Sequence, residues 1–201
     1  MRAVVVMPVQ PRLSMNLNKS ALLRNSRRTG VPDVLRFATL ARAASADGIT
    51  VHPRPDERHI RRDDVLELAE LMQPWRPAFE LNVEGYPDAR FLEIVRTVRP
   101  EQCTLVPDPP DAFTSEEGWK LNDRDMPLLR SAVAAVKDIG CRVILFMDPD
   151  PVAVARVAPP MRTESRSTRG PMPLPRAPGD PDHCSRPAPR PVAARWSSAW
   201  W

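Results

Sequence analysis

Aromatic side chains make up only 5% of this sequence, tyrosine occurs once and cysteine three times. Cys103, Cys141 and Cys184 are odd in number and widely spaced, which fits neither a disulfide framework nor a metal-ligand pattern and points to a reducing interior. Long apolar runs are missing too. The opening stretch from Ala3 to Met7 is too short for the core of a signal peptide, and no later segment reaches the roughly 18 apolar residues of a membrane span. A cytoplasmic protein without a membrane partner is therefore expected. No Gly-x-Gly-x-x-Gly follows the first strand-like run, which weakens a dinucleotide-binding reading. Excess positive charge is also absent from most of the chain. The net charge is +4 and the pI about 9.4, yet residues 159–201 alone hold seven arginines against Glu164, Asp180 and Asp182. The other 158 residues balance at 22 basic and 22 acidic. A nucleic-acid-binding function would rest on that tail, whose arginines lie on no regular element and are not interleaved with stacking aromatics, so no nucleic-acid partner is expected.

What is present reads as alternating strands and helices. Leu13 to Leu17 reads as a strand, and Val34, Leu35, Ala38, Leu40, Ala41 and Ala44 recur at helical spacing after the start signal Pro32-Asp33. Gly48 to Val51 is a strand and Asp63 to Met72 a helix stopped by Pro74. Phe79 to Val83 and Asp88 to Val98 form the third pair, Cys103 to Val106 the fourth strand, and a long loop runs to about Asn122. Met126 to Ile139 is helical, Cys141 to Met147 is the fifth strand, and another helix begins at Val152. Five strand–helix units in a row predict a parallel α/β architecture, and the apolar run from Val143 to Phe146 fits a strand buried on both faces. Periodicity leaves the choice between a barrel and an open sheet undecided. At 201 residues the chain is short for an eight-fold (β/α) barrel, which takes about 250.

After Ala158 the character changes. Residues 159–201 contain ten prolines and no Ile, Phe, Tyr, Asn, Gln or Lys. Such a segment has too little apolar surface to offset its ordering entropy, so a division into a barrel domain, 1–158, and a disordered Pro/Arg-rich tail, 159–201, is expected. One choice of codons for Pro160 to Pro171 gives, in a neighbouring reading frame, Asp-Ala-Asp-Arg-Ile-Ala-Leu-Tyr-Thr-Gly-Pro, which has the apolar run and closing glycine of a barrel strand and its loop. The tail is accordingly expected to be frame-shifted.

Polar residues cluster just after the strands: Asn16 and Asn18, His52 and Arg54, Asn82 and Glu84, then Asp148. In a βα barrel these ends share one face, where active sites form. Asp148-Pro149-Asp150 is accounted for by turn chemistry alone. The run from His52 to His59 holds two of the three histidines and two arginines in eight residues, and calls for more. Histidine exchanges protons near neutral pH and arginine clamps phosphate with a planar fork of donors. A His and a Glu on adjacent strand ends make a natural acid/base pair, whereas two histidines seven apart among arginines make a poor metal cage, so no metal is expected. Arg24, Arg27 and Arg28 after Asn18-Lys19 read as a second anion-binding loop.

Several long motifs carry a resemblance. Met15-Asn16-Leu17-Asn18-Lys19 with Ala21-Leu22-Leu23-Arg24-Asn25-Ser26-Arg27, Gly48-Ile49-Thr50-Val51-His52-Pro53-Arg54, Leu81-Asn82-Val83-Glu84-Gly85-Tyr86-Pro87, Leu105-Val106-Pro107 and Thr114-Ser115-Glu116-Glu117-Gly118 occur in order. Together they resemble the pyridoxine 5'-phosphate synthase family over residues 12 to about 158, and the alternative-frame peptide looks like that family's sixth strand. The resemblance implies a (β/α)8 TIM barrel assembled as a homo-octamer, here reduced to about five βα units. It implies condensation of 3-amino-2-oxopropyl phosphate with 1-deoxy-D-xylulose 5-phosphate to give pyridoxine 5'-phosphate, with no cofactor. Carried over by motif, His52 and Glu84 are the expected catalytic bases. Asn18, Lys19, Arg54, His59 and Thr114 are expected to hold the deoxyxylulose phosphate, and Asn16 and Arg27 the amino-ketone phosphate. The family also needs a later histidine as proton donor, a glutamate on strand six and glycine-rich phosphate loops, none of which the sequence supplies, since His183 lies in the proline-rich tail. The chain is thus expected to be inactive as it stands. The competing expectation is a non-catalytic barrel fragment that binds phosphate or self-associates.

Overall fold

The structure is a computed structural model that describes residues 11–108 and 117–152, with the backbone alone of Glu164–Ser167. All but Pro11 belong to one compact unit, Arg12–Thr168. Its centre is a parallel sheet in the order β1-β2-β3-β4-β5-β6. The strands are β1 (Ser14–Asn16), β2 (Gly48–Val51), β3 (Glu80–Gly85), β4 (Gln102–Leu105), β5 (Arg142–Met147) and β6 (Glu164–Ser167). Helices α1 (Asn18–Asn25), α2 (Val34–Ala43), α3 (Arg62–Met72), α4 (Ala89–Val98) and α5 (Asp125–Asp138) connect them. Sequential parallel order with a helical crossover at each of the first four steps is a partial (β/α)8 barrel.

Local chemistry sets the helix ends. Asp33 caps α2 by accepting from the Leu35 and Arg36 amides, and Asp88 caps α4 by accepting from the Phe91 amide at 2.7 Å. Pro74 stops α3 in a single 3-10 turn, Gln73–Trp75. Helix α4 then buries Phe91, Ile94, Val95 and Val98 on one stripe, and each such side chain contributes roughly 1.5–3 kcal/mol. The layer between sheet and helices comes from alternate strand residues, Ile49, Val51, Leu81, Val83, Cys103, Leu105, Val143 and Leu145, all buried. Gly48 is required where β2 meets β3, because an added Cβ would overlap the Glu80 carbonyl oxygen.

The other face of the sheet is polar. Ser14 and Thr50 share a hydrogen bond of 2.7 Å, the Asn82 amide donates to Thr50 at 3.2 Å, and Thr104 donates to Asn82 at 3.0 Å. One chain of side chains thus crosses β1 to β4. Toward the amino ends of the strands, Glu80 accepts from Arg12 at 2.6 Å and from Arg142 at 2.7 Å, and Arg142 also reaches Gln102. An open cavity of about 510 Å³ lies there, lined by charges that engage one another.

Two expectations change. The segment around Lys19 and Arg24 is helix α1, not a loop. A strand also stands where none was expected, since Glu164–Ser167 pairs in parallel with β5 in the register Ile144↔Glu164 to Met147↔Ser167. Backbone pairing is indifferent to side chains, and residues 161–170 are free of proline, so an extended segment can satisfy the edge of β5. The remainder of 159–201, including His183, lies outside the described residues.

Candidate active site

The β2–α3 connection is held from several directions. Extending the β2–β3 register of Thr50↔Asn82 and Val51↔Val83 by one residue places His52 beside Glu84, at neighbouring strand ends on the same face. Both are buried, at 8% exposure each. Asn18 accepts a hydrogen bond from the His52 amide at 2.8 Å, and its own amide donates to the Asn16 side chain at 2.9 Å. The first two asparagines thus fix the main chain at His52. Arg54 is 4% exposed, unusually low for an arginine, with Asp56 3.7 Å from its Nε. The His52 and His59 rings stand 5.7 Å apart.

The far end of the loop is gripped by α1. Asn25 donates to the carbonyls of Glu57, Arg58 and His59, the last at 2.7 Å. Arg24 forms a two-pronged pair with Asp64 and donates to the His59 carbonyl at 3.2 Å, while Asp64 also accepts from the Arg61 amide at 2.7 Å. Arg24 is therefore a structural clamp, which corrects its assignment to an anion-binding loop. Lys19 and Arg27 remain exposed beside this region, and Asn16 lies at the end of β1. Thr114 lies outside the described residues. Asn25, Asp64 and Arg90 escaped the reading of the sequence, because each acts on main-chain carbonyls or a buried partner that no motif marks.

Burial sets the charge state of the site. It pushes the His52 pKa down to about 3, helped by the neighbouring His59 and Arg54. His59 is pushed down to about 4, first by burial and then by Arg54. The His59 Nδ1 accepts the Ile60 amide at 2.9 Å, which leaves the proton of the neutral ring on Nε2. Both imidazoles are neutral at pH 7, able to accept a proton but weakly basic, in a setting of guanidinium groups that favours an anion. The unfolded chain takes up protons at these histidines below pH 6.5 and the folded chain does not. Folding stability should therefore fall as pH drops from 6.5 toward 4, with His52 alone accounting for about 2 kcal/mol at pH 5. Urea titrations at pH 7 and pH 5 on the wild type and His52→Gln check this, since the variant should lose most of that part of the difference.

The return of the long loop after β4 closes on the same end of the sheet. The Gly118 amide donates to Asp148, the Trp119 amide to the Phe146 carbonyl, and the Trp119 indole to the Leu105 carbonyl at 2.9 Å. Trp119 also stacks on Tyr86. A side chain at position 118 would overlap the backbone of Met147 and Asp148, so only glycine passes there. Among the described residues no three His, Cys, Asp or Glu side chains are placed to hold a metal ion, and no helix is long and apolar enough to cross a membrane.

A parallel strand–helix succession with a buried His, a buried Glu and an arginine at the carboxyl ends of its strands defines part of a (β/α)-barrel enzyme domain. Comparison with known proteins makes this specific. The family model described as Pyridoxal phosphate biosynthesis protein PdxJ matches residues 13–163, and the chain belongs to that family. It is 50% identical over 149 residues to the pyridoxine 5'-phosphate synthase of Albidiferax ferrireducens, covering 72% of this chain and 58% of that protein. The synthase of Porphyromonas gingivalis is 48% identical over 139 residues, covering 69% and 56%. That of Brucella anthropi is 46% identical over 147 residues, covering 73% and 60%. The chain thus spans less than two thirds of the length of these relatives.

Proposed function

We propose that residues 12–158 carry the first part of a pyridoxine 5'-phosphate synthase site, which condenses 3-amino-2-oxopropyl phosphate with 1-deoxy-D-xylulose 5-phosphate. In this reading His52 is the first general base and Glu84 the second. Asn18, Lys19, Arg54, His59 and Thr114 hold the sugar phosphate, and Asn16 and Arg27 the amino-ketone phosphate. The observation that carries the proposal is the buried, neutral His52 placed beside Glu84, with Arg54 on the same clamped loop. A base with a pKa of about 3 is too weak for efficient proton abstraction at neutral pH, and a bound phosphate dianion next to it would raise that value toward the working range. A homo-octamer in the cytoplasm belongs to the same proposal.

For the chain as it stands, binding without turnover is the second reading. The family match stops at residue 163 while the chain continues in Pro/Arg-rich sequence, and one choice of codons for residues 160–171 yields an apolar Ile-Ala-Leu-Tyr in a neighbouring frame, overlapping the stretch that forms β6. A shift of frame near residue 160 is therefore part of the proposal. The deciding experiment has two arms. Sequencing the gene through codons 155–171 tests the frame. Pyridoxine 5'-phosphate formation from both phosphates, measured on the chain of residues 1–201 and on a frame-corrected version, should be detectable only in the second. Steady turnover by the chain of residues 1–201 would overturn the second reading, and failure of both proteins to turn over would overturn the first.

A further inference from the structure

Arg90 is used by no part of the proposed chemistry, yet it reaches across to the loop that carries His52 and Arg54. It sits in the first turn of α4, two residues past the Asp88 cap, on the unit that follows Glu84. Its Nη1 donates to the Pro53 carbonyl at 2.9 Å and its Nη2 to the Arg54 carbonyl at 3.4 Å, while Glu57 stands 3.9 Å from the same group. The fork therefore spans two consecutive carbonyls directly after His52. Asn25, Arg24 and Asp64 hold the other end of that loop, at residues 57–61. Arg90 alone among these clamps comes from the Glu84 side. Arg90, His52, Arg54, Tyr86, Asp88 and Asp108 line one cleft.

We infer that Arg90 is a positioning residue: it ties the His52–Arg54 main chain to the Glu84 unit and so sets the geometry in which the loop receives a phosphate group. The inference rests on the reading of this loop as a phosphate-binding, acid/base element. A guanidinium suits the task because a planar fork holds two carbonyls at fixed spacing, where an ammonium holds one as a point charge. The carbonyls it grips are also the ones whose rotation would swing Arg54 out of its buried place. Preorganisation of this kind shows in affinity rather than in fold stability, because the clamp is partly exposed and the loop is held independently at its far end.

The test uses the full chain of residues 1–201 with inorganic phosphate as the probe. Three quantities are read: the dissociation constant, the Cε1–H resonances of His52 and His59, and the melting temperature. Arg90→Met should weaken phosphate binding roughly tenfold through lost preorganisation, displace the His52 resonance and speed amide exchange at Arg54 and at residues 56–59. Arg90→Lys should recover part of the affinity by keeping one of the two carbonyl contacts. Arg62→Ala, which removes an exposed pair with Glu93, is the charge control and should leave binding and resonance unchanged. Unchanged affinity and an unchanged His52 resonance in Arg90→Met overturn the inference. So does an equal loss in Met and Lys variants that merely tracks melting temperature. If the folded wild type binds no phosphate, the functional reading of the loop fails, while the resonance and exchange data still decide the role of Arg90.

Discussion

Asp64→Ala is expected to destabilise the domain by about 3–5 kcal/mol, the cost of stranding a buried charge by removing its partner. Asp64 and Arg24 expose 9% and 11% of their side chains, and the hydrogen bond to Asp64 is the main reason that the Arg24 pKa is raised. Without the carboxylate, the guanidinium stays beside the His59 carbonyl having lost its main counter-charge, with only Glu67 and Asp33 still acting on it, and the Arg61 amide at the start of α3 loses its acceptor. Asp64→Asn should cost less, since the amide oxygen still accepts from one donor. Removing both partners as Arg24→Met with Asp64→Leu should recover much of the loss, because an apolar pair of similar volume carries no desolvation penalty. Urea unfolding at pH 7 reads all three. A loss below about 1 kcal/mol for Asp64→Ala would mean that the pair behaves as an exposed one, in conflict with its burial.

That pair also shows where the sequence was legible and where it was not. Helix α2 announces itself through Asp33 and the spacing of Val34, Ala38 and Ala41, and α4 through Asp88 and its apolar stripe. Each of the five strands read from the sequence overlaps a strand of the structure, because the first four runs are apolar at alternate positions, the fifth is apolar throughout, and turn residues bound them. Helix α1 was missed. Its eight residues have only Ala21 buried, its N-terminus has no side-chain cap, and its arginine and asparagine look like a polar loop until their partners 32 to 40 residues away are seen. The polar inner face was missed for the opposite reason. Alternation was visible in Gly48-Ile49-Thr50-Val51-His52 and in Glu80-Leu81-Asn82-Val83-Glu84, but the apolar run of β5 suggested two buried apolar faces. In β5 itself Arg142 begins the inner row, so the run from Val143 to Phe146 breaks the pattern of its neighbours.

The site was more legible than its support. His52, Arg54 and His59 are exceptional residues in a short loop, and motif resemblance placed Glu84 with them. Nothing in one sequence, by contrast, says that Arg90 grips the carbonyls of Pro53 and Arg54. Contacts to main-chain oxygen leave no residue-type signature on the accepting side. Strand β6 was hidden in the same way, since Glu-Ser-Arg-Ser has neither β-branched nor aromatic residues and pairs only because the β5 edge is there to receive it.

In a frame-corrected protein, His52→Ala is expected to lower kcat by roughly 10²–10⁴, the range for a positioned acid/base group, with little change in KM. The imidazole is buried beside Glu84, its main chain is pinned by Asn18, and its neutral form is favoured by burial and by the surrounding arginines. A group held that closely in its proton-accepting form contributes to the transition state more than to ground-state binding. Arg54→Ala should split the other way, raising KM for the sugar phosphate more than it lowers kcat, because a guanidinium binds the phosphate throughout the reaction. The acid limb of the rate profile separates the two further. If bound phosphate raises the His52 pKa from about 3, kcat/KM, which reports the free enzyme, should persist to lower pH than kcat, which reports the loaded one. His52→Ala should abolish that difference and Arg54→Ala should narrow it. Steady-state rates from pH 4.5 to 8 on the three proteins carry the test, and full turnover in His52→Ala would remove this histidine from the mechanism.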